Sequence, residues 1–412
     1  MNSDFTPHRG QNTHPQQPNN PAANDWQRAA AFRTPEEVAA ADDAGVQATV
    51  GHGHAPGGKP SRKSFKQWLK TRTKKQWALI IVILVILLGG IGYGVYHFFI
   101  KGDPKPVKQT AKKVEPKPEP EPLYAKLTGL PITDPAINQR PVTGVMIENS
   151  PDARPQSGLK QAGVVFEAIA EGGITRFLTL FQDTEPDYIG PVRSVRPYYV
   201  QWVAGFDAAV AHVGGSGDAL AMLRRGEAKD LDQFSNPGPY HRISSRFAPH
   251  NMYSSVVALR QLQQQKGFTS DYAPFPRKDD TKSPTPNATS ISFNISGAVY
   301  NPHYQYDAVN NVYLRSEGGK PHLDEKAGQL APKVVIALTM AQGSNGIYTT
   351  YGNIGSGQAH IFQDGTVTVG TWSKASVKGQ ITFKDANGAP VKLNRGQTWI
   401  SVVGSTSRIS YQ

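Results

Sequence analysis

The sequence predicts an α+β fold: an α/β-type domain followed by a mostly β domain, preceded by one transmembrane helix and a disordered tail. Three observations predict it. Strand-like and helix-like runs alternate up to about residue 272, strand-like runs alone fill the chain after residue 290, and Trp77–Ile100 holds 24 residues without a charge.

Residues 1–76 read as a disordered, basic cytoplasmic tail. The first sixty are rich in Asn, Gln, Pro, Gly and Ala and have too little apolar surface to offset the entropy of ordering. His52 and His54 lie there, open to metal binding or simply solvated. Between Lys59 and Lys75 come eight basic residues and no acidic one.

The run WALIIVILVILLGGIGYGVYHFFI (77–100) can span about 36 Å as a helix, against a hydrocarbon core of about 30 Å. Trp77, Tyr93 and Tyr96 sit toward its ends, where aromatic belts form. It starts too far into the chain, and is too long, for a cleaved signal peptide. Seven Lys/Arg precede it in Arg62–Gln76 and five follow it in Lys101–Glu115, which favours a cytoplasmic N-terminus and an extracellular C-terminal region. Gly90 and Gly94 form a GxxxG pair, read either as a homodimer contact or as part of a Gly-rich helix with Gly89 and Gly92. Residues 101–122, KGDPKPVKQTAKKVEPKPEPEP, read as an extended spacer.

From Leu123 the composition becomes globular. Strands are expected at Val142–Glu148, Val164–Glu171, Thr175–Gln182 and Asp207–Val213, and helices at Ser194–Gly205, Asp218–Arg225 and Ser254–Gln265. This α/β domain is drawn over 123–274. A polar, Pro-rich junction, FPRKDDTKSPTPN, follows at Phe275–Asn287. The mostly β domain is drawn over 288–412, with strands at Ser290–Ile295, Val299–Tyr306, Val334–Met340, His360–Gln363, Thr366–Trp372, Gln380–Phe383 and Thr398–Val403. Tyr306–Arg315 reads as a hairpin turning at Asn310-Asn311, because Asn tolerates the left-handed region.

Composition removes several function classes. The chain has 412 residues, a net charge of +12 and no cysteine, so thiol nucleophiles, disulfides, thiolate zinc sites and a lipid-modified cysteine are excluded. Leu123–Gln412 carries 27 Lys/Arg against 22 Asp/Glu, only +5, so the basic character belongs mainly to the tail. Nucleic acid is not an expected partner, because no basic face with stacking aromatics is evident.

Several long stretches carry a resemblance: LTGLPITD (127–134), ENSPDARPQSGLKQAGVVFEAIAEGGITRFLTLF (148–181), GPVRSVRPYY (190–199), HVGGSGDAL (212–220), APHNMY (248–253), YLRSEGGKPHLD (313–324) and FKDANGAPVKLNRGQTWI (383–400). On these the chain resembles the YerB-like family of bacterial envelope lipoproteins, whose two regions have no assigned function. The resemblance spans about Leu123–Gln412 and implies a two-part extracytoplasmic protein. It supplies no activity, ligand or cofactor. Many such relatives carry a lipid-modified cysteine, which this chain lacks, and the apolar helix would replace that anchor.

The densest polar cluster lies in the first folded part. Arg193 and Arg196, three apart in GPVRSVRP, would share a helix face, and Arg176 follows the Gly172-Gly173 turn. Arginines at a helix start suit a phosphate or carboxylate ligand; the alternative is internal ion pairing, with Glu167 or Glu171 for example. His212-Val-Gly-Gly-Ser-Gly-Asp218 joins a strand to a helix. Ser216 there is a helix N-cap, part of a Gly214–Gly215–Ser216 anion nest, or a nucleophile in a broken elbow motif with Asp218 where a glycine belongs. His212, His241 and His250 match no common zinc spacing, and no metal or cofactor is expected. His250-Asn251 falls within a matched stretch. In the last part, His322 and Asp324 lie two apart, and Trp372 and Trp399 read as core residues or as sugar-stacking platforms.

The leading expectation is a membrane-anchored binding or scaffold protein for an anionic cell-wall ligand or an envelope protein. It would bind through Arg176, Arg193, Arg196, Gly214, Gly215, Ser216, His250 and Asn251. The alternative is an envelope hydrolase or transferase using His212, Ser216 and His250 with Glu171 or Asp218. A transmembrane sensor is a third class.

Overall fold

The computed structural model describes residues 73–99 and 122–412. Most of the expected tail and spacer, with His52 and His54, lies outside the described residues. The chain divides into two units, Met1–Val114 and Glu115–Gln412. In the first, Lys74–Phe99 is one α-helix (α1) long and apolar enough to cross a membrane. A side chain at Gly90 or Gly94 would meet nothing within 4 Å.

In the second unit, the expected early strands form. They are Thr143–Glu148 (β1), Val164–Glu171 (β2), Ile174–Phe181 (β3) and Ala209–His212 (β4), joined by Lys229–Asp232 (β5). All six residues of β1 are buried. Such a continuous apolar run follows when both faces of a sheet are covered. Three short helices follow the expected ones closely: Pro197–Ala204 (α2), Gly217–Arg224 (α3) and Val256–Gln265 (α4). Ser216 and Ser255 cap α3 and α4, each accepting an amide hydrogen bond from the residue three further on.

The last part contributes Ser290–Phe293 (β6), Pro302–Asp307 (β7), Val312–Glu317 (β8), Val334–Thr339 (β9), Gln342–Asn345 (β10), Tyr348–Tyr351 (β11), Gly355–Gln363 (β12), Thr366–Lys374 (β13), Thr382–Asp385 (β14), Thr398–Val403 (β15) and Ile409–Tyr411 (β16). The β7–β8 hairpin turns where expected, with Asn311 at φ 54°. The class is therefore α+β, with sheet predominant.

The two parts drawn from the sequence do not form separate sheets. One sheet of twelve strands runs β14-β13-β12-β9-β15-β2-β3-β1-β4-β5, with the β10–β11 hairpin attached through β2. β15 lies between β9 and β2, parallel to both. The junction is packed rather than free. Phe275 is buried, and the Arg277 guanidinium donates to the carbonyls of Leu127 and Asn394, at 2.6 and 2.9 Å. Its charged, Pro-rich composition resembles a linker, but long-range hydrogen bonds fix it.

One sheet face packs on Tyr199, Trp202 and Val203 of α2 and Ala219, Met222 and Leu223 of α3. The opposite face packs on Val256 and Leu259 of α4 and on a smaller sheet represented by Ile291, Phe293, Tyr304 and Tyr313. Trp372 and Trp399 are buried and serve as core. Trp372 Nε1 donates to Thr339 O at 3.0 Å, and Trp399 Nε1 to Glu167 Oε2 at 2.9 Å.

Candidate functional site

β1 and β4 are parallel neighbours, so their carboxyl ends lie side by side. In open α/β sheets such ends are the usual place for ligands. The segment Gly190–Arg196 crosses them in extended form. Glu148 N donates to Pro191 O (2.9 Å), Arg193 N to Met146 O (2.9 Å) and Val213 N to Arg193 O (3.1 Å). Helix α2 therefore begins at Pro197, not at Ser194, and Arg193 and Arg196 do not share a helix face. The sequence contained the reason: proline favours the first helical position and pushes its predecessor into the β region. Arg196 has φ −127° and ψ 159°.

The expected arginines separate into two roles. Arg176 and Arg196 are nearly fully buried, and both grip Glu171, Arg196 through Nη2 to Oε2 at 2.5 Å. Arg176 Nη1 also donates to Ser194 O at 2.9 Å, and the Arg196 guanidinium stacks 4.7 Å over the Tyr348 ring. These two follow the ion-pair alternative. Arg193 is different: its side chain is 24% exposed, and its Nε lies 3.3 Å from Glu148 Oε2 without forming a hydrogen bond. Burial lowers its pKa, opposed by Glu148.

Glu148 is the centre of the cluster and was not singled out from the sequence. It is 4% exposed at the side chain. Its Oε1 accepts from Ser150 Oγ at 2.9 Å and lies 3.0 Å from His250 Nδ1. In β1–β3 pairing Glu148 stands opposite Arg176. The contact of His250 with Glu148 brings the His250-Asn251 pair to the same end, and Arg242, near enough to Arg193 to act on it, donates to Asn251 Oδ1 at 2.6 Å. Arg176, Arg193 and Arg196 thus meet two carboxylates, Glu148 and Glu171, an excess of one positive charge before His250 is counted. Two exposed phenylalanines stand nearby. Phe247 offers its carbonyl to His250 N, and Phe234 would lie 3.4 Å from a Cβ on Gly214.

The other expected devices take their structural readings rather than their chemical ones. The Gly214–Ser216 turn is not an open nest, because two of its three amides are used within the protein: Gly214 N donates to Asp232 Oδ1 (3.0 Å) and Ser216 N to Val195 O (3.3 Å). Ser216 Oγ accepts from Ala219 N and has no histidine partner. His212 is fully buried, with Nε2 2.9 Å from Asp230 Oδ1 and Nδ1 2.8 Å from Gly214 O, so neither nitrogen is free to act as a base. Its hydrogen bond holds the Asp230 carboxyl below the usual range despite burial. Ser150, His250 and Glu148 imitate a triad in composition only. Serine and glutamate both address Nδ1, whereas a relay needs the two ring nitrogens separately. Among the described residues no group of three or more His, Asp or Glu is placed to hold a metal ion.

Behind the cluster lies a buried ionic core linking the two halves of the unit. Arg315 Nη2 meets Glu167 Oε1 at 2.8 Å and Glu317 Oε1 at 3.0 Å, and all three side chains are at most 1% exposed. Glu167 also receives Trp399 Nε1 and Ser401 Oγ. His322 accepts from Arg315 Nε and meets Gln156 through Nε2, each at 3.0 Å. Asn149 connects this core to the site, donating to Glu317 Oε1 at 2.9 Å and accepting from Arg154 Nε at 3.0 Å. Asp324, expected beside His322, instead accepts the amides of Lys326 and Ala327.

Comparison with known proteins gives one consistent result. Two models described as protein of unknown function (DUF3048), N-terminal and C-terminal domains, match residues 127–269 and 291–400. A relative from Bacillus subtilis (strain 168), YerB, whose name carries the word lipoprotein, is 33% identical over 308 residues, covering 72% of this chain and 88% of YerB. The crystal structure of YerB from Bacillus subtilis superposes with a TM-score of 0.64 at 30% identity, covering 70% of this chain and 99% of that one.

Proposed function

We propose, for a chain that belongs to the DUF3048 family, that it is an envelope protein held in the membrane by α1 and that its folded unit binds an anionic cell-wall ligand. Seven basic residues before the apolar run of α1 against five after it support a cytoplasmic N-terminus with the folded unit outside. The lipoprotein name of the YerB relative supports a position at the envelope membrane, with α1 here in place of a lipid.

The observation that carries the ligand reading is the half-open Arg193–Glu148–His250 cluster at the carboxyl ends of β1 and β4. Arg193 and His250 are each 24% exposed at the side chain, and three guanidinium groups outnumber two carboxylates. A phosphate or carboxylate ligand would take the guanidinium N–H groups that Glu148 engages poorly, in charge-assisted hydrogen bonds. Arg176, Arg196 and Glu171 form the rigid floor, and Asn251 orients Arg242.

The test is ligand-dependent thermal stabilisation with a phosphodiester wall polymer, comparing the wild type with Arg193→Ala. A ligand that binds only the folded state raises the melting temperature in proportion to its concentration and affinity. The reading expects that rise, and its loss in Arg193→Ala; an equal rise in both proteins would remove Arg193 from the site.

A further inference from the structure

A cavity beside the arginine cluster has a different chemistry. It measures about 290 Å³ and lies between α2, the start of α3 and the β10–β11 hairpin with the turn that follows it. We propose that this cavity binds a sugar unit of a neutral glycan.

Three tyrosines shape it: Tyr198, Tyr348 and Tyr351. Their rings are fixed without any ligand. Tyr198 and Tyr351 meet edge to face, with centroids 4.9 Å apart, and Tyr348 lies beneath the Arg196 guanidinium. The hydroxyl of Tyr198 donates to Ile169 O at 2.5 Å, and that of Tyr351 accepts from Ile169 N at 3.1 Å. Both hydroxyls are therefore tied to the backbone of one β2 residue, Ile169. Tyr198, 2% exposed, backs the pocket, and the half-buried Tyr348 and Tyr351 supply its accessible ring surface, which is held in place at little entropic cost on binding.

The rest of the lining is polar and supplies both donors and acceptors. Gln201, Asn345 and Asn353 contribute carboxamides, and Asp218 a carboxylate. A sugar hydroxyl is donor and acceptor at once, and it is matched by such a mixture. The charge argues against the ligand proposed for the other site, because no arginine or lysine lines this cavity and Asp218 would repel an anion. Ile354 is the only branched aliphatic side chain of the lining, too little for an acyl chain. The volume sits at the low end of ligand pockets, about 300–1,000 Å³, which suits one sugar unit or two of a longer chain. This inference does not rest on the anionic site.

The experiment uses the full chain in lipid nanodiscs and saturation-transfer NMR with two uncharged probes, chitotetraose and cellotetraose. At least one should receive saturation at millimolar concentration. Tyr348→Ala should weaken that binding by roughly tenfold, as for loss of an aromatic anchor. Asn345→Ala, on the exposed strand β10, should weaken it severalfold without risk to folding. Arg193→Ala should leave it unchanged, which separates this site from the anionic one. No transfer to either probe from folded protein would overturn the proposal, as would undiminished binding in both Tyr348→Ala and Asn345→Ala.

Discussion

Replacing Glu317 by glutamine should change how stability depends on pH, by an amount the buried ionic core fixes. Glu317 is 1% exposed and shares Arg315 with Glu167. One guanidinium cannot compensate two buried carboxylates equally. Glu167 holds additional donors in Trp399 and Ser401, whereas Glu317 Oε2 has no hydrogen bond and only longer contacts, 3.2 Å to Arg154 and 3.5 Å to His322 Nδ1. Burial, partly offset by Arg315 and reinforced by Glu167, raises the Glu317 pKa from 4.5 to about 7. The folded state then holds this proton more tightly than the unfolded chain. The resulting stability is complete below pH 4.5 and is lost as pH rises through 7. A shift of this size corresponds to about 3 kcal/mol. His322 works in the opposite sense: burial holds its pKa well below 6.5, so its contribution is present above 6.5 and lost as pH falls. Comparing wild type with Glu317→Gln cancels the His322 term, because both proteins keep that histidine. In urea unfolding followed by near-ultraviolet circular dichroism, the variant's stability relative to wild type should climb by about 3 kcal/mol from acid pH to neutrality, then level off. A constant difference across that range, or one that falls with pH, would refute the argument that Glu317 is the undercompensated carboxylate.

Ser216→Ala should cost about 1 kcal/mol, the worth of an N-cap, and leave ligand binding intact; equilibrium unfolding and titration measure both. Arg193→Ala should remove anionic-ligand binding while costing about 1–3 kcal/mol of stability, because Glu148 loses its counter-charge. Trp399→Phe should cost about 1–3 kcal/mol in the same unfolding assay, since the buried Glu167 loses one of its donors. Gly370→Ala should destabilise strongly, by about 3 kcal/mol or more. Its Cβ would stand 2.0 Å from the Lys384 carbonyl, forcing β13 and β14 apart, and a lowered melting temperature would report it.

Legibility in the sequence followed the range of the interaction. β1, β2, β3 and β15 were visible because buried strands are apolar and β-branched along their length. The Asn310-Asn311 turn was visible because its backbone demand is local. The start of α2 was misplaced by three residues, although Pro197 marked it. The β10–β11 hairpin was missed because Gln342–Asn345 is polar and fully exposed, with no alternation to detect. The single sheet was hidden because the β15 pairings with β2 join residues more than two hundred positions apart, for which no local pattern exists. The same limit applies to the site. Arg193, His250 and Asn251 were identified by residue type, and Glu171 was named as a partner. Their true organiser, Glu148, lay at the end of an apolar strand and became recognisable only when residues 150, 193 and 250 converged on it.

Calorimetric titration of a phosphodiester wall polymer into the full chain, at two salt concentrations, asks whether Arg193 is the ligand-facing guanidinium of an anion site. Binding in the wild type should weaken as salt rises and be absent in Arg193→Ala. Binding that is equal in the two proteins, or insensitive to salt, would contradict that role for Arg193.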